Sequence, residues 1–308
     1  MTVGRFAPSP SGPLHLGNLR TALVAWCAAR HQGGTFLVRM EDLTTGAAPV
    51  AEQQQLGDLA ALGIDHDGPV LRQSERAEIY DAAIRQLSEA GRTYPCFCTR
   101  SEVRREVEAA AGAPHATDRV PGGYPGTCRN LSSTQVAEHV ASGRQPSLRL
   151  RADDVEVTVS DVRRGELSAV VDDFVLCRAD GLAAYNLAVV IDDAAQGVDQ
   201  VVRGDDLWPT TPRQVALQNL LGLPTPEYLH VPLVLGPDGE RLAKRHGAVT
   251  LADQVADGAS NEEILALLAA SLGLAAPGES VAGRDLIERF DPSSLPSEPW
   301  MWSDSPAP

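Results

Sequence analysis

Apolar residues in the first 95 positions switch repeatedly between two spacings. Val3, Phe6 and Ala7 form a short run that enters a turn rich in Pro, Ser and Gly, and from His15 onward Leu19, Leu23, Trp26 and Cys27 recur at helical spacing. Residues 36–40 read as a strand after Gly33 and Gly34. Residues 51–62 read as a helix stopped by Gly63, and residues 77–90 as a helix stopped by Gly91. Strands alternating with helices predict parallel βαβ units and an α/β fold.

Residues 96–175 break that rhythm. They hold Cys96, Cys98 and Cys128, an Ala/Gly/Pro stretch at 109–114 and the run Pro121-Gly122-Gly123, which together read as an inserted module with loops. The α/β pattern returns from Phe174. Residues 174–178, 183–191 and 200–202 read as strands or core segments, 213–221 as a helix and 231–235 as a further strand. Residues 249–290 read as mostly helical, and the Pro/Ser/Trp-rich tail from Asp291 as irregular chain packed by Trp300 and Trp302.

Length and composition narrow the class. The chain has 308 residues, enough for one large or two modest domains, and is 43% hydrophobic, which excludes a disordered protein. No apolar run reaches membrane-spanning length and no presequence precedes the first strand, which predicts a cytoplasmic protein with no membrane partner. Five cysteines, unevenly spaced, do not make a secreted disulfide framework. A net charge of −15 disfavours a nucleic-acid partner unless cations gather locally. Arg100, Arg104, Arg105, Arg144, Arg149, Arg151, Arg163 and Arg164 all lie in the middle third and are candidates for such a strip.

Five groups of residues carry chemistry. The passage from Arg5 through Pro8, Gly12, His15 and Gly17 to Asn18 is strand, tight loop, helix, which points a helix N-terminus at whatever lies above the strand. It suits a nucleoside triphosphate, yet no Gly-Lys-Ser/Thr follows, so it is not a Walker loop. The competing reading is a Pro-rich turn with a buried histidine. Arg39-Met40-Glu41-Asp42 ends the second strand, where ligands of open α/β sheets bind and where a carboxylate can hold a substrate ammonium. In the block from Tyr185 to Arg203, Arg203 is a strand-end cation able to grip a carboxylate bidentately; the alternative pairs it with Asp205 or Asp206. Residues 239–245, with Arg241, Lys244 and Arg245, put a basic cluster on a loop. Finally, Cys96, Cys98 and Cys128 with a phenol or water suit a tetrahedral zinc ion, against the reading of three reduced structural cysteines. Cys27 and Cys177 lie in apolar runs and read as core.

The first passage resembles the H-I-G-H signature of class I aminoacyl-tRNA synthetases in the form used by the glutamate branch, R-x-A-P-S-P-x-G-x-L-H-x-G. Arg39–Asp42 is similar to that branch's R-x-E-D, and Tyr185–Arg203 to its Y-x-L-A-x-V-x-D-D and V-R-G segments. Arg241-Leu242-Ala243-Lys244-Arg245 resembles the second signature, K-M-S-K-S. The resemblance spans residues 3–250. It implies a Rossmann-like catalytic domain in two halves, 1–95 and 176–248, interrupted by a zinc-containing module at 96–175 and followed by a short helical region at 249–308 with no anticodon-binding domain. It implies glutamate contacts from Arg5, Ala7, Ser9, Glu41, Tyr185 and Arg203. It places ATP against Pro8, Gly12, His15, Gly17, Asn18, Leu242, Ala243, Lys244 and Arg245, with His15 and Lys244 as the catalytic groups. Thr44 and Ala243 depart from the usual Asp and Ser of that branch.

C-x-C followed by Tyr124-x-x-x-Cys128 is similar to the glutamyl-queuosine tRNA(Asp) synthetases, although the spacer of residues 99–123 is long. That resemblance adds Tyr124 as the fourth ligand of a structural Zn2+. It implies activation of glutamate by ATP with Mg2+, and a queuosine-containing tRNA(Asp) as acceptor for a monomeric enzyme. A short glutamyl-tRNA synthetase charging a 3′ end shares the activation motifs. A non-catalytic zinc-containing RNA-binding module would not need His15, Glu41, Arg203 and Lys244 intact.

Overall fold

Strand β1 (Val3–Phe6) lies inside a seven-stranded sheet. In this computed structural model all residues are described except 45, 47, 111–118, 248 and 304–308, together with the side chains of 108–110 and 244. After β1 come α1 (Leu16–His31), β2 (Thr35–Met40), α2 (Pro49–Ala61), β3 (Leu71–Arg72) and α3 (Ala77–Glu89). The middle of the chain holds β4 (Thr93–Cys96), α4 (Arg100–Ala110), α5 (Ser133–Ala141), β5 (Ser147–Leu150), β6 (Glu156–Asp161), β7 (Gly165–Val170) and β8 (Val175–Cys177). Then follow α6 (Tyr185–Ala195), β9 (Gln200–Gly204), α7 (Thr211–Leu221), β10 (Glu227–Val231), β11 (Val234–Leu235), α8 (Leu251–Ala256), α9 (Asn261–Ser271), α10 (Gly283–Arg289) and β12 (Trp300–Met301).

The large sheet runs β3-β2-β1-β9-β10-β6-β7 and is parallel except for the β6–β7 hairpin. Gly4 sits opposite Phe36 on one side and Gln200 on the other, so the carboxyl ends of β1, β2 and β9 open on one edge. Helix α1 comes close to β1 because Gly4 has no side chain: a Cβ there would lie 2.9 Å from that of Ala29. A three-stranded sheet, β4-β5-β8, belongs to the middle module, and β11 pairs in parallel with β12.

One apolar core joins α1, β2 and α2 to residues of α9 and α10 and to Trp302; a second joins α3, α6, α7, β6 and β7. A third, smaller cluster gathers Tyr94, Cys96, Phe97, Tyr124 and Cys128. Buried Arg20 of α1 stitches the helical region to the sheet: it donates to Pro232 O at 2.7 Å, Ser271 O at 3.1 Å and Ser271 Oγ at 3.0 Å. Among the described residues no helix is long and apolar enough to cross a membrane.

Two expectations change. The strand-or-core segment 183–191 falls within helix α6 from Tyr185 onward; Leu187 to Val190 are all buried, which blurs the polar face that reveals a helical period. The apolar segment 231–235 splits at Pro232, ending β10 and starting β11. The basic strip also disperses. Arg149 is buried, Arg163 pairs with Asp205 at 2.9 Å and Arg144 with Glu102 at 3.1 Å, while Arg100, Arg104 and Arg105 of α4 are exposed, as is Arg164 beside Asp205.

Candidate active site

The loop after β1 is fastened from several sides. Glu41 N donates to Pro8 O at 2.9 Å, and Leu16 N donates to Val249 O at 2.8 Å. From α2, Gln55 Nε2 donates to Ser9 O at 3.1 Å and Gly12 O at 2.7 Å, while Asp58 accepts a backbone hydrogen bond from Leu14. His15 is the N-cap of α1. Its Nδ1 accepts from Asn18 N at 3.2 Å and Asn18 Oδ1 accepts from His15 N at 3.3 Å, a reciprocal capping box. The cap fixes the tautomer, so the proton sits on Nε2. Burial and then the nearby Arg241 charge push the imidazole down to about 4, which keeps His15 a neutral donor at physiological pH. Gly17 leaves room for that ring, since a Cβ would lie 3.0 Å from two of its atoms.

Below the loop, two buried arginines meet one carboxylate. Arg5 places Nε 3.0 Å from Asp193 Oδ1, and Arg39 places Nη1 2.6 Å from the same oxygen. Burial acts against the Asp193 carboxylate, but Arg39 and Arg5 outweigh it and hold the group below its ordinary pKa. Arg39 also reaches Glu41 at 3.3 Å. Burial lifts the Glu41 carboxyl above its usual range, with Arg39 and Arg5 opposing, so an incoming ammonium would favour its ionised form.

Arg203 is different. Its three described hydrogen bonds go to His230 Nε2 at 3.0 Å, Gln214 Oε1 at 2.7 Å and Thr211 Oγ1 at 2.8 Å, all neutral acceptors. Neither neighbouring aspartate is its partner, because Asp205 pairs with Arg163 and Asp206 with Arg241. Arg203 is only 6% exposed, so a guanidinium with no direct carboxylate faces the site.

These groups share a cleft of about 390 Å³. Arg5, Ala7, Pro8, Ser9, His15, Gly17 and Asn18 line it from the β1–α1 side. Glu41, Tyr185, Arg203 and Leu242 are the other predicted residues on its walls, and Asp206 and Arg241 stand beside them. Gly12 and Ala243 are not among its walls: Gly12 binds Gln55 through its carbonyl, and Ala243 N donates to His246 Nδ1 at 3.0 Å. Arg245 faces Asp238, with Nε 3.4 Å from Oδ2. The Lys244 side chain lies outside the described set, although its backbone starts a short 3-10 turn.

A larger cavity of about 990 Å³ meets the first at Ser9, Glu41 and Tyr185 and extends to Cys96, Cys98 and Tyr124. The sulfur atoms of Cys96, Cys98 and Cys128 lie within 4.8 Å of one another, and Tyr124 Oη is 3.4 Å from Cys96 Sγ and 3.5 Å from Cys98 Sγ. A tetrahedron of ligands at the Zn–S length of about 2.3 Å has edges of about 3.8 Å, so the three sulfurs are compatible with a zinc ion, and Tyr124 Oη lies at a similar distance from two of them. Burial opposes the Cys96 thiolate, yet hydrogen bonds from Tyr124 and Arg149 bring its pKa below the usual value; burial pushes Cys98 up to about 12. Residues 111–118 of the long spacer lie outside the described residues.

Sequence reasoning missed Asp193, Gln55, Asp58, His230 and Asp161. Only Asp193 had a signal, as the second aspartate of the quoted D-D pair. The others act through folding partners distant in sequence.

The chain matches over residues 1–305, and belongs to, the tRNA synthetases class I (E and Q), catalytic domain family; it is a ligase of the aminoacyl-tRNA synthetase type. Within that family it is similar to the Glutamyl-Q tRNA(Asp) synthetase of Nocardia farcinica, at 58% identity over 302 residues, or 98% of this chain and 93% of that one. The corresponding protein of Symbiobacterium thermophilum is 46% identical over 312 residues, 97% of this chain and 95% of its own length. A glutamate tRNA ligase from Elizabethkingia meningosepticum, solved with its amino acid, superposes with a TM-score of 0.81 at 29% identity, covering 98% of this chain and 67% of that one.

Asp58 supplies a test of the loop's support. It is 8% exposed, its Oδ2 has no partner among the described residues, and burial pushes its pKa up to about 6. A carboxyl whose folded pKa lies above its unfolded value of 3.8 loses its stabilising protonation as pH rises from there through 6. Asp58→Asn, which copies the neutral form, should raise the thermal midpoint at pH 8 by an amount equivalent to about 2 kcal/mol and leave it unchanged near pH 4. Equal midpoints for the two proteins at pH 8 would refute the charge strain.

Proposed function

We propose that this chain activates L-glutamate with ATP as glutamyl-adenylate and transfers the glutamyl group to the queuosine base at the wobble position of tRNA(Asp). The observation that carries the reading is Arg203, a buried guanidinium on the cleft whose described partners are neutral, so its charge is left for a substrate carboxylate. Glutamine would leave that charge without a counter-ion. The choice of acceptor is supported by the names of relatives matched over nearly their full length.

In this reading Arg203 and Arg5 bind glutamate by its carboxylates, and Glu41 and Tyr185 hold the ammonium end. ATP enters with Mg2+ and lies over the β1–α1 loop. An α-carboxylate oxygen attacks the α-phosphorus, forming a carbon-oxygen-phosphorus anhydride as the bond to pyrophosphate breaks. His15 Nε2–H, Lys244 and the N-terminal end of α1 offset charge on the phosphates. A hydroxyl of the queuosine cyclopentenediol then attacks the acyl carbon, releasing AMP and a proton. Positioning and electrostatics carry the reaction, with no side-chain nucleophile. Cys96, Cys98, Tyr124 and Cys128 would hold zinc in a structural role, since four protein ligands would leave no open position for a reacting water.

Glutamate-dependent exchange between pyrophosphate and ATP should proceed without tRNA, since Arg5, His15, Glu41, Tyr185 and Arg203 of this chain already converge on one cleft. With labelled glutamate, ATP and total tRNA, the label should map to the anticodon; label at the 3′ end would instead identify a short glutamyl-tRNA synthetase. Arg203→Ala should lower kcat/KM for glutamate by roughly 100-fold, the value of a charge-assisted pair near 3 kcal/mol. Wild-type protein that activates glutamate and glutamine equally would sink the carboxylate pocket. Purified protein should carry about one zinc per chain by mass spectrometry, lost in Cys98→Ser with a lower thermal midpoint. Full zinc occupancy after that substitution would rule the site out.

A further inference from the structure

We propose that Asp161 and His230 position Arg203 and set the preference for a carboxylate over an amide, an inference that rests on the glutamate activation proposed above. The three residues occupy adjacent strands. His230 on β10 lies directly opposite Arg203 on β9, and Asp161 ends β6 opposite Tyr228. Arg203 Nε donates to His230 Nε2 at 3.0 Å, and His230 Nδ1 lies 2.7 Å from Asp161 Oδ2. A guanidinium only donates, so His230 Nε2 is the acceptor and the proton sits on Nδ1, facing the carboxylate. Burial and the neighbouring Arg203 charge both disfavour a doubly protonated ring, with Asp161 pulling the other way.

Asp161 is itself fixed. Oδ2 accepts from His230 N at 2.8 Å, and Oδ1 accepts from Arg163 N at 2.9 Å and Arg164 N at 2.7 Å. Aromatic neighbours fix the imidazole plane: the Trp208 ring centroid is 5.0 Å away and the Tyr228 ring is stacked at 6.0 Å.

The imidazole solves a geometric problem. A buried cation needs a counter-charge, but a carboxylate placed directly on Arg203 would occupy the fork that substrate requires. Arg5 shows the direct arrangement, with Nε and Nη2 both on Asp193. On Arg203 the neutral ring carries the influence of Asp161 to Nε alone. Gln214 takes one N–H of Nη1 and Thr211 one of Nη2, which leaves one N–H on each Nη for a bidentate carboxylate.

Asp161→Asn tests this with little change of shape. Its amide sets a donor against either His230 or the 163–164 backbone, and pairing with the ring forces a proton onto Nε2, against Arg203. In pyrophosphate exchange the expected result is a glutamate KM at least tenfold higher, an ATP KM within twofold of wild type and a smaller advantage of glutamate over glutamine. His230→Phe should behave alike, and His230→Gln, which keeps an acceptor for Nε, should recover much of the loss. An unchanged glutamate KM in folded Asp161→Asn or His230→Phe, or ATP and glutamate KM values rising together, overturns the proposal. If Asp161→Asn does not fold, the comparison of His230→Gln with wild type decides: a glutamate KM near wild type supports the proposal, and a loss shared with ATP overturns it. Wild-type protein without glutamate-dependent exchange would instead overturn the activation reading itself.

Discussion

Two guanidinium ions on one carboxylate hold the floor of the cleft together. Asp193 sits at the end of α6, yet it reaches Arg5 on β1 and Arg39 on β2. That convergence links two strands to the helix beneath them and sets where Glu41, one residue beyond β2, presents its carboxylate. Removing Asp193 would leave two buried cations facing each other, a far larger loss than deleting one surface ion pair. Arg203, one strand over, is balanced more distantly, and the contrast gives the cleft its polarity. Arg5 shares a direct carboxylate with Arg39, whereas Arg203 has none in direct contact.

The organisation of the fold was legible where local signals agreed. Gly63 and Gly91 mark real helix ends, and the turn at 7–14 does lead from a strand into α1. The chemistry-bearing residues were legible because their types are unusual for their places, as with an arginine and a glutamate at strand ends. Helix α6 was hidden because burial on nearly every side removes the amphipathic period. The supporting residues were hidden for another reason. Gln55 and Asp58 look like the polar face of an ordinary surface helix, and only the return of α2 over the 9–14 loop makes them internal. Nothing local to Asp161 announces that it faces His230, 69 residues later.

The middle module is more than an insertion on the surface. Its cysteine cluster lines the same large cavity that reaches Ser9, Glu41 and Tyr185, so a shift of the β4 end changes a wall of that cavity. Arg149 reinforces the connection: its guanidinium lies 3.7 Å from the centroid of the Tyr124 ring and donates to Asp173 O at 3.0 Å. The cluster therefore forms part of the wall of a chamber that meets the smaller cleft at Ser9, Glu41 and Tyr185.

Strand β12 gives the cleft an unusual neighbour. It pairs with β11, whose Val234 lines the cleft, and brings Trp300 and, just beyond the strand, Trp302 together with ring centroids 5.6 Å apart. Indole emission depends on local polarity and on nearby rings, and Trp300 N and Trp302 N donate to Leu233 O at 3.0 Å and Leu235 O at 2.8 Å, the residues on either side of Val234. The protein thus contains its own optical gauge of what happens at the cleft, placed by the sheet rather than by contact with the ligand.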